Sequence, residues 1–105
     1  MEKPNIEYIL KLSGTEESVR LKLINVLKYE LPIEMEAYYA NINVEQWQQA
    51  ACHVHKIKHK MAILGLHDSY TYADVYEKQL SENTKELQSD FENSLTLMLN
   101  FVNSL

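Results

Sequence analysis

Between Trp47 and Leu64 the apolar residues Trp47, Ala50, Val54, Ile57, Met61 and Leu64 recur at steps of 3, 4, 3, 4 and 3. A helix turns about 100° per residue, so this spacing writes one apolar stripe along a helix, whereas a strand alternates every second residue. Such a stripe has to be buried against other elements. With only two glycines and two prolines in 105 residues, the chain is also short of the turn formers that a loop-rich or all-β fold uses.

The same periodicity divides the rest of the chain. A short first helix is predicted over about Asn5 to Leu12, with Ile6, Ile9 and Leu10 on one face. Ser13 or Thr15 is a candidate cap for a long second helix from Glu16 to about Ala40. Its stripe of Ile24, Leu27, Leu31, Met35, Tyr38 and Ile42 keeps phase across Pro32, which is expected to kink it or split it into two nearly collinear pieces. Asn43 and Gln46 resemble a capping box for the third helix, Val44 to about Leu64, and Gly65 is placed to end it. His67-Asp68-Ser69 reads as a turn and cap before a fourth helix, about Tyr70 to Leu80, with Ala73, Tyr76 and Leu80 inward. Asn83-Thr84-Lys85-Glu86 resembles another capping box, and the last helix carries Leu87, Phe91, Leu95, Met98, Val102 and Leu105. Short connections make neighbours antiparallel. The predicted fold is all-α: one domain over residues 1–105, an up-down four-helix bundle with a short additional N-terminal helix.

The net charge of −5 argues against a sequence-blind grip on nucleic acid, which needs a basic face. Cys52 is the single cysteine, so no intrachain disulfide forms. No apolar run approaches the length of a membrane span, and Met1-Glu2-Lys3-Pro4 lacks the apolar stretch of a signal peptide. A soluble cytoplasmic protein is expected.

With the Trp47–Leu64 stripe inward, Gln48, Ala51, Cys52, His55, His59 and Ala62 fall on the flank or outer surface of the third helix, with Ile63 as a further exposed apolar contact. His55 lies in the middle of this strip. Lys58, three positions on, is expected to project beside it, in a basic run from His55 to Lys60 that stands out in an acidic chain. An imidazole has a nitrogen lone pair available near neutral pH and is a competent phosphoryl acceptor, and an ammonium beside it would offset the added charge.

These residues resemble the signature of histidine-containing phosphotransfer (HPt) domains: a histidine, then an aliphatic residue, Lys and usually Gly, with Leu-Gly completing the motif ten positions after the histidine. His55-Lys56-Ile57-Lys58-His59 followed by Leu64-Gly65 matches in register, except that His59 stands where the family usually has Gly. The register selects His55 over His53, for which Ile57 would fill the small-residue position. His53 reads as a partly buried, hydrogen-bonded core histidine. Trp47 is similar to the frequent aromatic ahead of the site, and Glu77 sits where many members have an acidic residue in the next helix.

The resemblance implies a phosphocarrier without kinase activity, in keeping with Gly14 and Gly65 as the only glycines and no phosphate-binding loop. His55 would be the phosphoacceptor and Lys58 would stabilise its charge. Gln48, Ala51, Cys52, His59, Ala62 and Ile63 would meet the partner, and Gly65 would be structural. The implied partners are response regulator receiver domains and a hybrid sensor histidine kinase. The chain would hold no cofactor of its own, Mg²⁺ belonging to the receiver, and would act as a monomer. A second imidazole at position 59 could obstruct docking, narrow the partner range or hydrogen-bond phosphoryl oxygens.

The other readings are plainer. Lys56 and Lys60 read as a solvated face, the tyrosines Tyr38, Tyr39, Tyr70, Tyr72 and Tyr76 as core rim, and Cys52 as a small surface or boundary residue. His55 and His59 have the i, i+4 spacing that binds Zn²⁺ from one helix, so a His55/His59 metal-binding bundle is one alternative, although no third ligand is evident, the H-E-x-x-H pattern is absent and no metal is assigned to the site. A bundle that docks receivers without transfer is the remaining alternative.

Overall fold

The computed structural model describes residues 2–105, and all its regular secondary structure among them is helical. The helices are α1 (Glu7–Ser13), α2 (Glu17–Asn43), α3 (Trp47–Ile63), α4 (His67–Ser81) and α5 (Gln88–Asn103). α2 packs on α3, α3 on α4, α4 on α5, and α5 returns to α2, while α1 lies against α2. This is the expected four-helix bundle with a short lead-in helix. α2 stays helical through Pro32, which removes only the N–H that would reach the Lys28 carbonyl. Among the described residues no helix is long and apolar enough to cross a membrane.

The predicted stripes form most of the observed core, with Trp47, Leu87 and Leu105 half-buried at its ends. Of the predicted α1 face Ile9 is buried and Ile6 half-buried, but Leu10 is exposed, because a helix of seven residues set against α2 covers only one narrow face. Leu31, Tyr38, Val54, Ile57, Met61, Leu64, Ala73, Tyr76, Leu80, Leu95, Met98 and Val102 are fully buried. Tyr38 and Tyr76 are central to that core rather than at its rim. The Tyr38 hydroxyl donates to Glu92 Oε2 at 2.9 Å and lies 2.7 Å from the Tyr76 hydroxyl, which therefore donates to it. Burial pushes both phenols up; at Tyr38 the Tyr76 and Glu92 contacts add to it, whereas at Tyr76 the hydrogen bond to Tyr38 works against it and the value still rises to about 12. Phe91 meets Tyr38 and Tyr76 with ring centroids 5.1 Å away in each case. Tyr72, by contrast, is exposed.

The helix ends depart from the expected caps. No helix start carries a side-chain cap bond from its own N-cap residue. Instead, three helices close with one device. Gln46 N–H bonds to the Asn41 carbonyl, Leu66 N–H to Met61, and Thr84 N–H to Gln79, at 2.9, 2.9 and 2.8 Å. Each bond spans a left-handed residue: Glu45, Gly65 and Asn83, with φ of 60°, 75° and 61°. This is the Schellman closure, which satisfies carbonyls at the end of a helix. Asn43 is thus the last residue of α2, and Asn83 terminates α4 instead of capping α5. Both capping boxes fail because the preceding helix needs those positions. His67-Asp68-Ser69 likewise forms the first turn of α4 instead of a turn before it.

Gly65 answers two demands. Its φ is positive, and a Cβ there would lie 2.5 Å from the Asn5 side-chain nitrogen. Asn5 N–H bonds the Leu64 carbonyl at 2.8 Å, tying the N-terminal segment to the end of α3. At Glu45 a side chain sits in the left-handed region without such a constraint, which costs about 1 kcal/mol. Glu45→Gly is expected to raise stability by roughly 0.5–1 kcal/mol, the gain being reduced by the greater freedom of glycine in the unfolded chain. Urea denaturation measures this, and a loss of stability would show that Glu45 is held by something other than backbone geometry.

α4 is capped from far away in sequence. The Glu2 carboxylate accepts from Asp68 N–H at 2.9 Å and Ser69 N–H at 2.7 Å. It takes the place of a local cap that Leu66 cannot provide, and its charge suits the helix N-terminus. Burial raises the carboxyl pKa, but the two amide donors, Ser69 Oγ–H and His67 outweigh that and hold it below its ordinary value of 4.5. The stabilisation is therefore fully present above pH 4.5 and is lost as pH falls through the lower folded-state value. Glu2→Ala is expected to cost about 1 kcal/mol at neutral pH and almost nothing well below the folded-state value. Denaturation of both proteins across that range tests it, since a pH-independent difference would exclude the carboxylate as the cause.

Candidate functional site

The outer face of α3 was the sequence-derived candidate. Gln48, Cys52, His55 and His59 are exposed there and Ala62 is half-buried. His55, on the middle turns of α3, has a side chain 52% exposed. Two expected surface residues lie elsewhere. Ala51 is buried: it lies between Gln48 and His55 on α3, whose side chains reach Ser81 and Glu77 of α4. Ile63 is half-buried on the opposite flank and lines a cavity with Tyr8, Ile9, Leu12 and Leu27, facing α1 and α2.

The contacts of His55 define its chemistry. Its Nδ1 lies 3.2 and 3.1 Å from the two Glu77 carboxylate oxygens. A carboxylate only accepts, so Nδ1 carries the proton, and in the neutral ring Nε2 is left with the lone pair. Glu77 reaches His55 because α4 packs antiparallel on α3 and presents one face, Tyr70, Asp74 and Glu77, along it.

Lys58 is beside His55, but it is not a free ammonium projecting into solvent. It is buried, with Nζ 2.8 Å from Glu77 Oε1 and 2.9 Å from Asp74 Oδ1. Burial works against its charge, yet the hydrogen bonds and charges of Glu77 and Asp74 hold its pKa above the ordinary lysine value. In return the Lys58 hydrogen bond holds the Asp74 carboxyl below its usual value. Glu77 is therefore pinned between Lys58 and His55, and the three form a relay, Lys58 Nζ to Glu77 to His55 Nδ1.

The expected basic run is neutralised further along. Lys60 is buried, not solvated, with Nζ 3.1 Å from Glu30 and 2.9 Å from Glu34 of α2. Only Lys56 of the three lysines is exposed. His53 is half-buried as expected, but its Nδ1 has no hydrogen-bond partner, so the expectation of a bonded ring nitrogen does not hold for that atom.

His59 approaches the other nitrogen of His55. The two Nε2 atoms are 3.4 Å apart, with ring centroids at 4.9 Å and planes at 84°. Across from His59 stands Tyr70, 6.4 Å between centroids. Among the described residues no group of three His, Cys, Asp or Glu is arranged to hold a metal.

Sequence reasoning missed Asp74 and the pairing of Lys60. A signal existed for the first: Asp74 and Glu77 are three apart on one face of α4, opposite lysines on α3, but only the packing shows that they meet. No family model matches the chain, and no curated protein or solved structure matches it either.

Proposed function

We propose that the chain is a histidine phosphotransfer module of a two-component phosphorelay, in which His55 carries a phosphoryl group between receiver-domain aspartates. The observation that carries this reading is the half-exposed imidazole on a helix of the bundle, its Nδ1 within hydrogen-bond distance of the Glu77 carboxylate, which in the neutral ring leaves the lone pair on Nε2. The HPt resemblance of His55, Lys58 and Leu64-Gly65 supplies the reaction class.

In the forward step the Nε2 lone pair attacks phosphorus of the receiver's aspartyl phosphate. An N–P bond forms, the P–O bond to the aspartyl oxygen breaks, and its electron pair leaves with the carboxylate. As the ring acquires positive character, its Nδ1–H is already bonded to Glu77, which stabilises that charge. The reverse step returns the group to another receiver. Mg²⁺ belongs to the receiver, and the chain contributes position and one nucleophile. The ammonium of Lys58 acts through Glu77, holding it in place. The partners under this reading are receiver domains and a hybrid sensor kinase, in the cytoplasm.

The assay is transfer from a phosphorylated receiver with Mg²⁺, read as acid-labile, base-stable phosphate on this chain. Its absence, with receiver binding retained, would favour the second reading, a bundle that docks receivers without transfer. That reading has its own observation, the His59 Nε2 set against the nucleophilic nitrogen.

Glu77 gives the more discriminating variant. Glu77→Gln keeps a side-chain carbonyl for Nδ1–H but removes the charge that stabilises a developing imidazolium. A roughly 10- to 100-fold slower transfer is expected, with receiver binding little changed. Stopped transfer assays alongside receiver titrations separate the two effects, and an unchanged rate would remove Glu77 from the mechanism.

A further inference from the structure

The Nε2 atoms of His55 and His59 are both on exposed side chains of one helix face, 3.4 Å apart. A tetrahedral ion with metal–nitrogen bonds of about 2.0–2.1 Å has ligand–ligand edges of about 3.3–3.4 Å. The two nitrogens are thus already separated by one edge of such a site, and both belong to exposed side chains of one helix face, open to an ion from solvent. We propose that His55 and His59 form an exchangeable two-histidine site for a divalent transition metal, Zn²⁺ being the probe, which competes with phosphorylation of His55.

Three features of the surroundings support metal binding. The Glu77 carboxylate behind His55 Nδ1 is the outer partner that fixes tautomer and raises the basicity of a ligating imidazole. A neutral His59 ring can ligate through Nε2 in the tautomer that carries its N–H on Nδ1, so no net proton need be lost. The nearby ammonium of Lys58 is already paired with carboxylates, as is that of Lys60, so neither presents an uncompensated charge to an incoming cation. With no third protein ligand gathered among the described residues, two positions stay open to water, and the ion exchanges freely.

The consequence for function follows from orbital occupancy. The lone pair that would attack phosphorus is the one that binds the metal, so a loaded His55 cannot accept a phosphoryl group. This competition rests on the phosphotransfer reading, but metal binding does not.

The test is a calorimetric Zn²⁺ titration of the full chain and of His55→Gln, His59→Gln and His67→Gln. One ion per chain is expected, with at least tenfold weaker binding in each of the first two variants and unchanged binding in the third. Zinc affinity indifferent to His59→Gln, or weakened equally by His67→Gln, overturns the site. Phosphoramidate, which phosphorylates an imidazole with release of ammonia, then probes the competition. Phosphorylation of His55 should fall with zinc at concentrations matching the calorimetric affinity, and zinc sensitivity should shift at least tenfold in His59→Gln. Phosphorylation unaffected at saturating zinc overturns the competition. No phosphorylation of the metal-free chain by either phosphoramidate or a phosphorylated receiver sinks the phosphotransfer reading, while the titration still decides the metal site.

Discussion

Replacing His55 with glutamine is expected to reduce phosphoryl acceptance from a receiver by at least about a thousandfold, the scale seen when a nucleophile is removed from an otherwise intact site. The amide nitrogen has no lone pair to offer, since it is delocalised into the carbonyl. The fold should not suffer: the side chain is half-exposed, and substitutions at such positions usually change stability by less than about 0.5 kcal/mol. Receiver binding should persist, because the helix surface around it is unaltered. The measurement is the rate of acid-labile phosphate formation, with circular dichroism to confirm an intact bundle. Transfer at the wild-type rate in His55→Gln would move the phosphoacceptor elsewhere, and His59, whose Nε2 shares the same space, would be the first place to look.

Phe91→Ala is the substitution expected to damage the fold most. Phe91 is 1% exposed and packs against Tyr38 and Tyr76, the two phenols at the centre of the bundle. Truncating a buried phenylalanine costs about 3–5 kcal/mol, through lost burial and the cavity that remains. That is a large share of the roughly 5–15 kcal/mol by which such domains are stable. The cavity would also loosen the Tyr38–Tyr76–Glu92 hydrogen bonds, whose donors and acceptors have few other partners once buried. Urea denaturation gives the value. A loss below about 1 kcal/mol would mean that the ring's surroundings collapse to fill the space, and that the core around Tyr38 and Tyr76 is not rigidly packed.

Both predictions draw on features with different visibility in the sequence. Phe91 was legible: it lies on a stripe of steps 4, 4, 3, 4 and 3, and every such stripe in the chain turned out to be core-facing. Gly65 as a helix end was legible too, because few residues other than glycine accept its dihedrals without cost. Glu45 was not, since nothing about a glutamate announces a left-handed residue. The exposure of His55 followed from its angular distance from the Trp47–Leu64 stripe. The fate of Lys58 and Lys60 did not follow, because the same angular reasoning places both only at the edges of the stripe. Whether an edge lysine reaches water or a neighbour depends on what the adjacent helix brings opposite it.

Periodicity by itself determined that the chain is a helical bundle, which residues form its core, and that an imidazole at position 55 faces outward. These are properties of one helix at a time, and a helix's geometry is the same whatever surrounds it. Tertiary structure alone decided that Glu77 joins Lys58 to His55, that Lys60 is spent on Glu30 and Glu34, and that Glu2 caps α4. Each of those depends on the offset between segments distant in the chain. Side-chain charges select among such offsets only after the apolar faces have docked.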